Sequence, residues 1–323
     1  MKKLLLSLSL PLLLLAFLGT LFLASSCGKR QEKTVIGVSI PSADHGWTGG
    51  IVYWAEKAAK ELEKKYPDVK ILVSTSADSS EQVSQIENML IQNIKALVVL
   101  PHEPAPLAGI CKKAKEKKVF LTVVDRNLAG NIEDLAVAGD NPGFGRACAE
   151  AMAKQLDYKG DIVVMEGVLC DVNTQRVEAF RSVMKKYPNI RILDSQTANW
   201  STEQGLKLME TFLGKYKHID GVWAGDDDVL LGALKAYEES KRKDVKLFIG
   251  GGGAKLIIRK IVEKDPMIPV NVTYPPRMIA YGMEYTLEKI LGKREIKEKK
   301  IVIPAEVITR ENAEKFYFPD SIY

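Results

Sequence analysis

Histidine and cysteine are scarce in this chain, with three and four copies among 323 residues. Cys27, Cys111, Cys148 and Cys170 follow no paired spacing, which argues against both a disulfide scaffold and a zinc site. Long blocks of one charge are missing too. Without Lys2 and Lys3, 44 basic residues stand against 41 acidic ones, so nothing points to nucleic acid. Signatures of catalysis are equally thin. The run Gly250-Gly251-Gly252-Gly253 precedes Ala254-Lys255, but no hydroxyl residue follows the lysine as a phosphate loop requires, and the dinucleotide spacing is absent. Neither a nucleophile elbow nor a Ser-His-Asp order is apparent. These absences leave a binder rather than an enzyme, with no metal and no cofactor required.

What is present begins with Lys2 and Lys3 ahead of an uncharged, Leu-rich run from Leu4 to Ala24, the layout of a secretory signal over residues 1–26. Leu23-Ala24-Ser25-Ser26-Cys27 resembles a relaxed lipobox, with Cys27 as the lipidated residue and 27–33 as the linker. An uncleaved membrane helix is the alternative, since about 20 apolar residues span a bilayer. Pro11 and several serines weaken that helix. Either way the chain is exported and tethered, in a periplasm or on the outer face of the cell membrane.

The remaining length is too great for one ordinary core, and two domains are expected. Apolar runs at Val35–Ile40, Val69–Ser74 and Ala96–Leu100 alternate with helical spacing at Gly50–Tyr66, Ser80–Asn93 and Pro104–Lys117. The same alternation resumes after Gly139-Asp140-Asn141-Pro142-Gly143, from Asp161 to Lys264. Strands and helices of this size imply right-handed crossovers and parallel sheets: an α/β chain of two Rossmann-like, doubly wound lobes. The segments after Asp265 fit as returns between them, including a strand at Ile268–Thr273. The expected division is 34–139 plus 274–302 for the first lobe and 140–273 plus 303–323 for the second.

Between these patterns lies Val119 to Asn127, a β-branched run ending in Asp125-Arg126. In open α/β sheets, ligands bind beyond the carboxyl ends of the strands, where this pair falls. The pair alone does not distinguish a ligand site from a surface ion pair. Arg176, read at the start of a helix over Gln175–Tyr187, offers a second rigid donor fork. Trp47 and Trp200 fall in loops at strand ends, where indoles suit ring stacking, whereas Trp54 has the helical spacing of a core residue. Three consecutive carboxylates, Asp226, Asp227 and Asp228, occupy a strand-to-helix turn and are not expected all to point inward. One ligand contact plus support of a helix N-terminus is the reading adopted.

Across roughly Val35 to Thr309 the chain resembles the type I periplasmic binding proteins for simple sugars, nearest the ribose-binding branch. Asp125-Arg126, Arg176, Trp200, Ala224-Gly225-Asp226-Asp227 and Gly250 to Gly253 are in register. The resemblance implies two lobes joined by three hinge crossings, a ligand buried between them, and delivery to the permease subunits of an ABC importer. It also implies ligand contacts at His45, Trp47, Asp125, Arg126, Arg176, Trp200, Asp226, Gly252 and Thr273. His45 and Asp226 stand where the family often has Asn, Gly252 where the ribose branch has Asp, and Thr273 where Gln is common. These departures point to a larger sugar or a polyol, with Asp226 supplying the acceptor that Gly252 lacks. A nucleoside, a pentose-like signalling molecule, or a sensor presenting its ligand to a chemoreceptor or kinase are the alternatives. The chain is expected to act as a monomer.

Overall fold

In the computed structural model, which describes residues 33–323, the apolar β-branched runs become the strands of two parallel sheets. The export run and Cys27 lie outside the described residues. In the first lobe, β1 (Thr34–Pro41), α1 (Gly46–Lys65), β2 (Val69–Ser76), α2 (Ser79–Ile91), β3 (Ala96–Val99), α3 (Pro104–Glu116), β4 (Phe120–Val124) and β5 (Leu135–Gly139) follow in sequence. In the second come α4 (Asn141–Gln155), β6 (Gly160–Glu166), α5 (Asp171–Met184), β7 (Ile190–Thr197), α6 (Thr202–Lys215), β8 (Gly221–Ala224), α7 (Asp227–Ser240), β9 (Leu247–Ile249) and α8 (Lys255–Val262). The chain closes with β10 (Asn271–Val272), α9 (Met278–Ile290), β11 (Lys300–Ile303), β12 (Val307–Ile308) and a 3-10 turn at Ala313–Phe316.

The first sheet has the order β11-β5-β4-β3-β1-β2 and the second β7-β6-β8-β9, all pairs parallel. Buried strands such as β3, in which all four residues are enclosed, account for runs with no polar alternation. In the second lobe, Trp223 stacks face to face on Phe180, with centroids 3.9 Å apart and planes 2° from parallel. Chain order and sheet membership show three crossings between the lobes: from β5 into α4, from β10 into α9, and from β11 to β12, which pairs antiparallel with β10. Although it follows the second sheet in sequence, α9 returns to the first. Gly282 makes that approach possible, because a Cβ there would lie 2.9 Å from Val124.

Three local expectations are corrected. The first helix begins at Gly46 rather than Gly50, so Trp47 lies in its first turn and not in a loop. The glycines at 46, 49 and 50 hide that start in the sequence, and a partner from the other lobe completes it. The helix carrying Arg176 begins at Asp171, which places the arginine in its second turn. The strand expected over Ile268–Thr273 shrinks to Asn271–Val272, because only these two residues find a ladder partner in β12. Cys111, Cys148 and Cys170 are all free thiols.

Candidate functional site

A small cavity lies between the lobes, at the carboxyl ends of their parallel strands. Eight of the nine expected contact residues line it. From the first lobe come His45, Trp47, Asp125 and Arg126; from the second come Arg176, Trp200, Asp226 and Gly252. Asp125 follows β4 with φ +64°, in the left-handed region that aspartate tolerates better than most residues. Its Oδ1 accepts a short hydrogen bond from the Tyr274 hydroxyl, and its Oδ2 lies 3.8 Å from Nε of Arg126. Nη1 of Arg126 also donates to the backbone oxygen of His102 at 2.8 Å, which pins the guanidinium to its own lobe.

Arg176 is 4 % exposed, and its positive charge is held entirely by neutral groups. Nε donates to Oδ1 of Asn141 at 2.9 Å and Nη1 to the oxygen of Gly225 at 2.8 Å. Cζ of the guanidinium lies 4.2 Å from the ring centroids of both Phe144 and Tyr274, two rings set edge to face at 85°, so the cation sits in an aromatic corner with a cation–π contact to each. Trp200 sits at φ +53° directly after Asn199 at +51°, a strained pair for non-glycine residues. Gly167 lets the indole settle there, since a Cβ at that position would fall 2.0 Å from Nε1 of Trp200.

All three carboxylates of the acidic run are buried, contrary to expectation, because each serves a different helix N-terminus. Oδ1 of Asp226 accepts from the N–H of Val229 at 2.9 Å and caps α7. Oδ2 of Asp227 accepts from Gly253 and Ala254 at 3.0 and 2.8 Å, at the start of α8, while its Oδ1 takes the Asn271 amide at 2.7 Å. Asp228 reaches across the cleft and accepts from the N–H groups of Gly46 and Trp47 at 3.1 and 3.2 Å, capping α1 of the opposite lobe. The partial positive charge and free amides of three helix ends stabilise what would otherwise be a costly acidic cluster. Burial still dominates. It pushes Asp227 up to about 6 and raises Asp226 and Asp228, which also repel each other.

His45 ends the loop before α1, with Nδ1 2.6 Å from Oδ1 of Asp44. Burial disfavours its charge, but that hydrogen bond and the negative charges of Asp44, Asp228 and Asp226 outweigh it and raise the imidazole above 6.5. The charged groups around the cavity therefore find their counter-charges and hydrogen-bond partners largely within the protein. What the walls offer is a set of oriented donors and acceptors beside two indoles, which suits an uncharged guest rich in hydroxyls. Among the described residues, no group of three or more His, Cys, Asp or Glu side chains is placed to hold a metal.

Thr273 is the one expected contact that lies outside this cavity. Its N–H donates to the oxygen of Glu306 at 2.9 Å and its hydroxyl accepts from the Glu306 N–H at 2.9 Å, so it ties two crossing strands together instead. Sequence reasoning missed four lining residues: Val172, Gly251, Tyr274 and Tyr323. Tyr274 carried a usable signal, being an aromatic at the end of an apolar run just before Pro275-Pro276. Tyr323 carried none.

Residues 36–295 match the periplasmic binding protein domain, and the chain belongs to that family. It is 26 % identical over 300 residues to the D-apiose import binding protein of Paraburkholderia graminis, covering 92 % of this chain and 94 % of that one. It is 29 % identical to the ribose import binding protein of Bacillus subtilis, covering 89 % and 90 %. Among solved structures, an ABC transporter solute binding protein from Bacillus halodurans with bound myo-inositol superposes with a TM-score of 0.78 at 25 % identity, covering 92 % of this chain and all of that one. The two-lobed α/β architecture with parallel sheets is the type I periplasmic binding protein fold.

Proposed function

We propose that this chain binds a monosaccharide or related polyol between its lobes, closes on it by hinge motion, and delivers it to the permease subunits of an ABC importer without altering it. The observation that carries this reading is the convergence of Trp47, Asp125, Arg126, Arg176, Trp200 and Asp226 on one interlobe cavity. The names of the relatives, which bind apiose and ribose, support the same class of ligand. In this reading the lobes divide as 34–139 plus 274–302 and 140–273 plus 303–323. A lipid on Cys27 holds the monomeric protein to the membrane outside the cytoplasm.

Thermal-shift and calorimetric titration of the soluble domain with D-ribose, D-apiose, myo-inositol, D-glucose and adenosine tests the ligand class, because a ligand that binds only the folded state raises its melting temperature. Binding of at least one sugar or polyol is the expected result. Binding of adenosine alone would replace this reading with a nucleoside one. Cys27→Ala should move the protein from the membrane to the soluble fraction, and continued membrane association would mean that an uncleaved helix is the anchor.

A further inference from the structure

Tyr323 is only 7 % exposed, yet its hydroxyl oxygen is buried without a hydrogen-bond partner among the described residues. A buried hydroxyl in this condition loses its water partners and gains nothing in exchange, so native structures rarely keep one without a use. Its position is tightly determined. A Cβ on Gly252 would fall 2.1 Å from the phenol oxygen, and one on Gly50 or Gly46 would fall 3.0 Å from Cβ or Cδ2 of the tyrosine. Both lobes therefore leave room for this one side chain, and Gly252 itself sits at φ +129°, where a residue with a side chain is strained. The segment that carries Tyr323 is held in place as well. Nζ of Lys255 donates to the backbone oxygens of Pro319 and Ser321, and Oγ of Ser321 accepts from the Tyr323 N–H at 3.2 Å.

Tyr323 and Gly252 line the interlobe cavity together. We infer that Tyr323 is a specificity-determining contact of this cleft: its phenol fills the space a side chain at residue 252 would take and donates a hydrogen bond to a hydroxyl oxygen of the bound sugar or polyol. Burial and the surrounding charges of Asp227, Asp228 and Asp226 raise its pKa well above 10.0, which keeps the hydroxyl protonated and able to donate. A neutral donor replaces what an acidic side chain at that position would supply as an acceptor. The preferred guest is one with an acceptor oxygen aimed at this wall.

This inference rests on the sugar-binding reading above, and the test separates the two. Calorimetry on wild-type and Tyr323→Phe protein would use whichever of D-ribose, D-apiose and myo-inositol binds the wild type most tightly, together with that ligand's monodeoxy analogues. Loss of the hydroxyl should weaken binding about tenfold, in the range of one hydrogen bond. Against one deoxy analogue the penalty should vanish, a pattern that a merely structural role would not produce. The melting temperature without ligand should be unchanged or higher, since the variant removes an unpartnered polar atom. Equal affinity of the two proteins for every ligand would overturn the inference and leave the sugar-binding reading standing. A wild type that binds none of the sugars or polyols would overturn both.

Discussion

The two walls of the cleft are built by different means. On the first lobe, Asp125 and Arg126 are neighbours in sequence at the end of one strand, and each finds its nearest partner within the lobe or at the adjoining crossing. On the second, Asp226, Asp227 and Asp228 are also neighbours, but each carboxylate serves a different helix, and one of those helices belongs to the other lobe. The first wall is a surface that local sequence can specify. The second is a junction whose acids are stable only when distant helices are brought to them, which ties its protonation and its grip on the first lobe to the tertiary structure.

The strongest way to break this contrast is Arg176→Ala. It removes two hydrogen bonds from the second wall and the cation packed against Phe144 and Tyr274. Ligand affinity should fall by at least about thirtyfold, some 2 kcal/mol, and calorimetry with the tightest-binding sugar would show it. Wild-type affinity would remove Arg176 from the site. Asp228→Ala tests the contact between the walls. It strips from α1 the carboxylate that accepts from the Gly46 and Trp47 amides across the cleft. An N-cap contributes about 1 kcal/mol, so affinity should drop several-fold to about tenfold as the closed form is disfavoured. Equal affinity would show that the cap does not support closure.

A smaller effect should appear in the pH dependence of stability. Burial holds Asp227 at about 6 in the folded protein against 3.8 when exposed, so the folded state keeps this proton more tightly and stability rises as pH falls from about 6 toward 3.8. His45 acts in the same direction: its contribution is full below 6.5 and is lost as pH rises through its higher folded value. Asp44 opposes them below 3.8, where the carboxylate held low by its His45 hydrogen bond becomes protonated. Thermal melts should place the stability maximum between 3.8 and about 6, and Asp227→Asn should flatten the rise on its alkaline side. A maximum well above pH 6.5 would contradict the assignment. The smallest change is expected for Thr273→Val. Its lost hydrogen bond to Glu306 should cost about 1 kcal/mol of stability and alter ligand affinity less than about twofold, because Thr273 lies outside the cleft cavity.

By itself the sequence determined the alternation of buried β-branched strands with amphipathic helices, because burial on both faces of a parallel sheet leaves a periodicity that local composition displays. It also placed Asp125, Arg126, Arg176 and Trp200 near strand ends, where this topology gathers its ligands. Thr48 supports the start of α1 locally by accepting from the His45 N–H, but only the tertiary structure brings in the carboxylate that accepts from its first amides, 182 residues from Gly46. Only the fold could bury three adjacent acids, turn Thr273 into a tie between crossings, and bring Tyr323 against Gly252. Each of those outcomes depends on partners far apart along the chain, and a helix end, a hydrogen bond or a steric fit between such partners leaves no mark on the residues nearby.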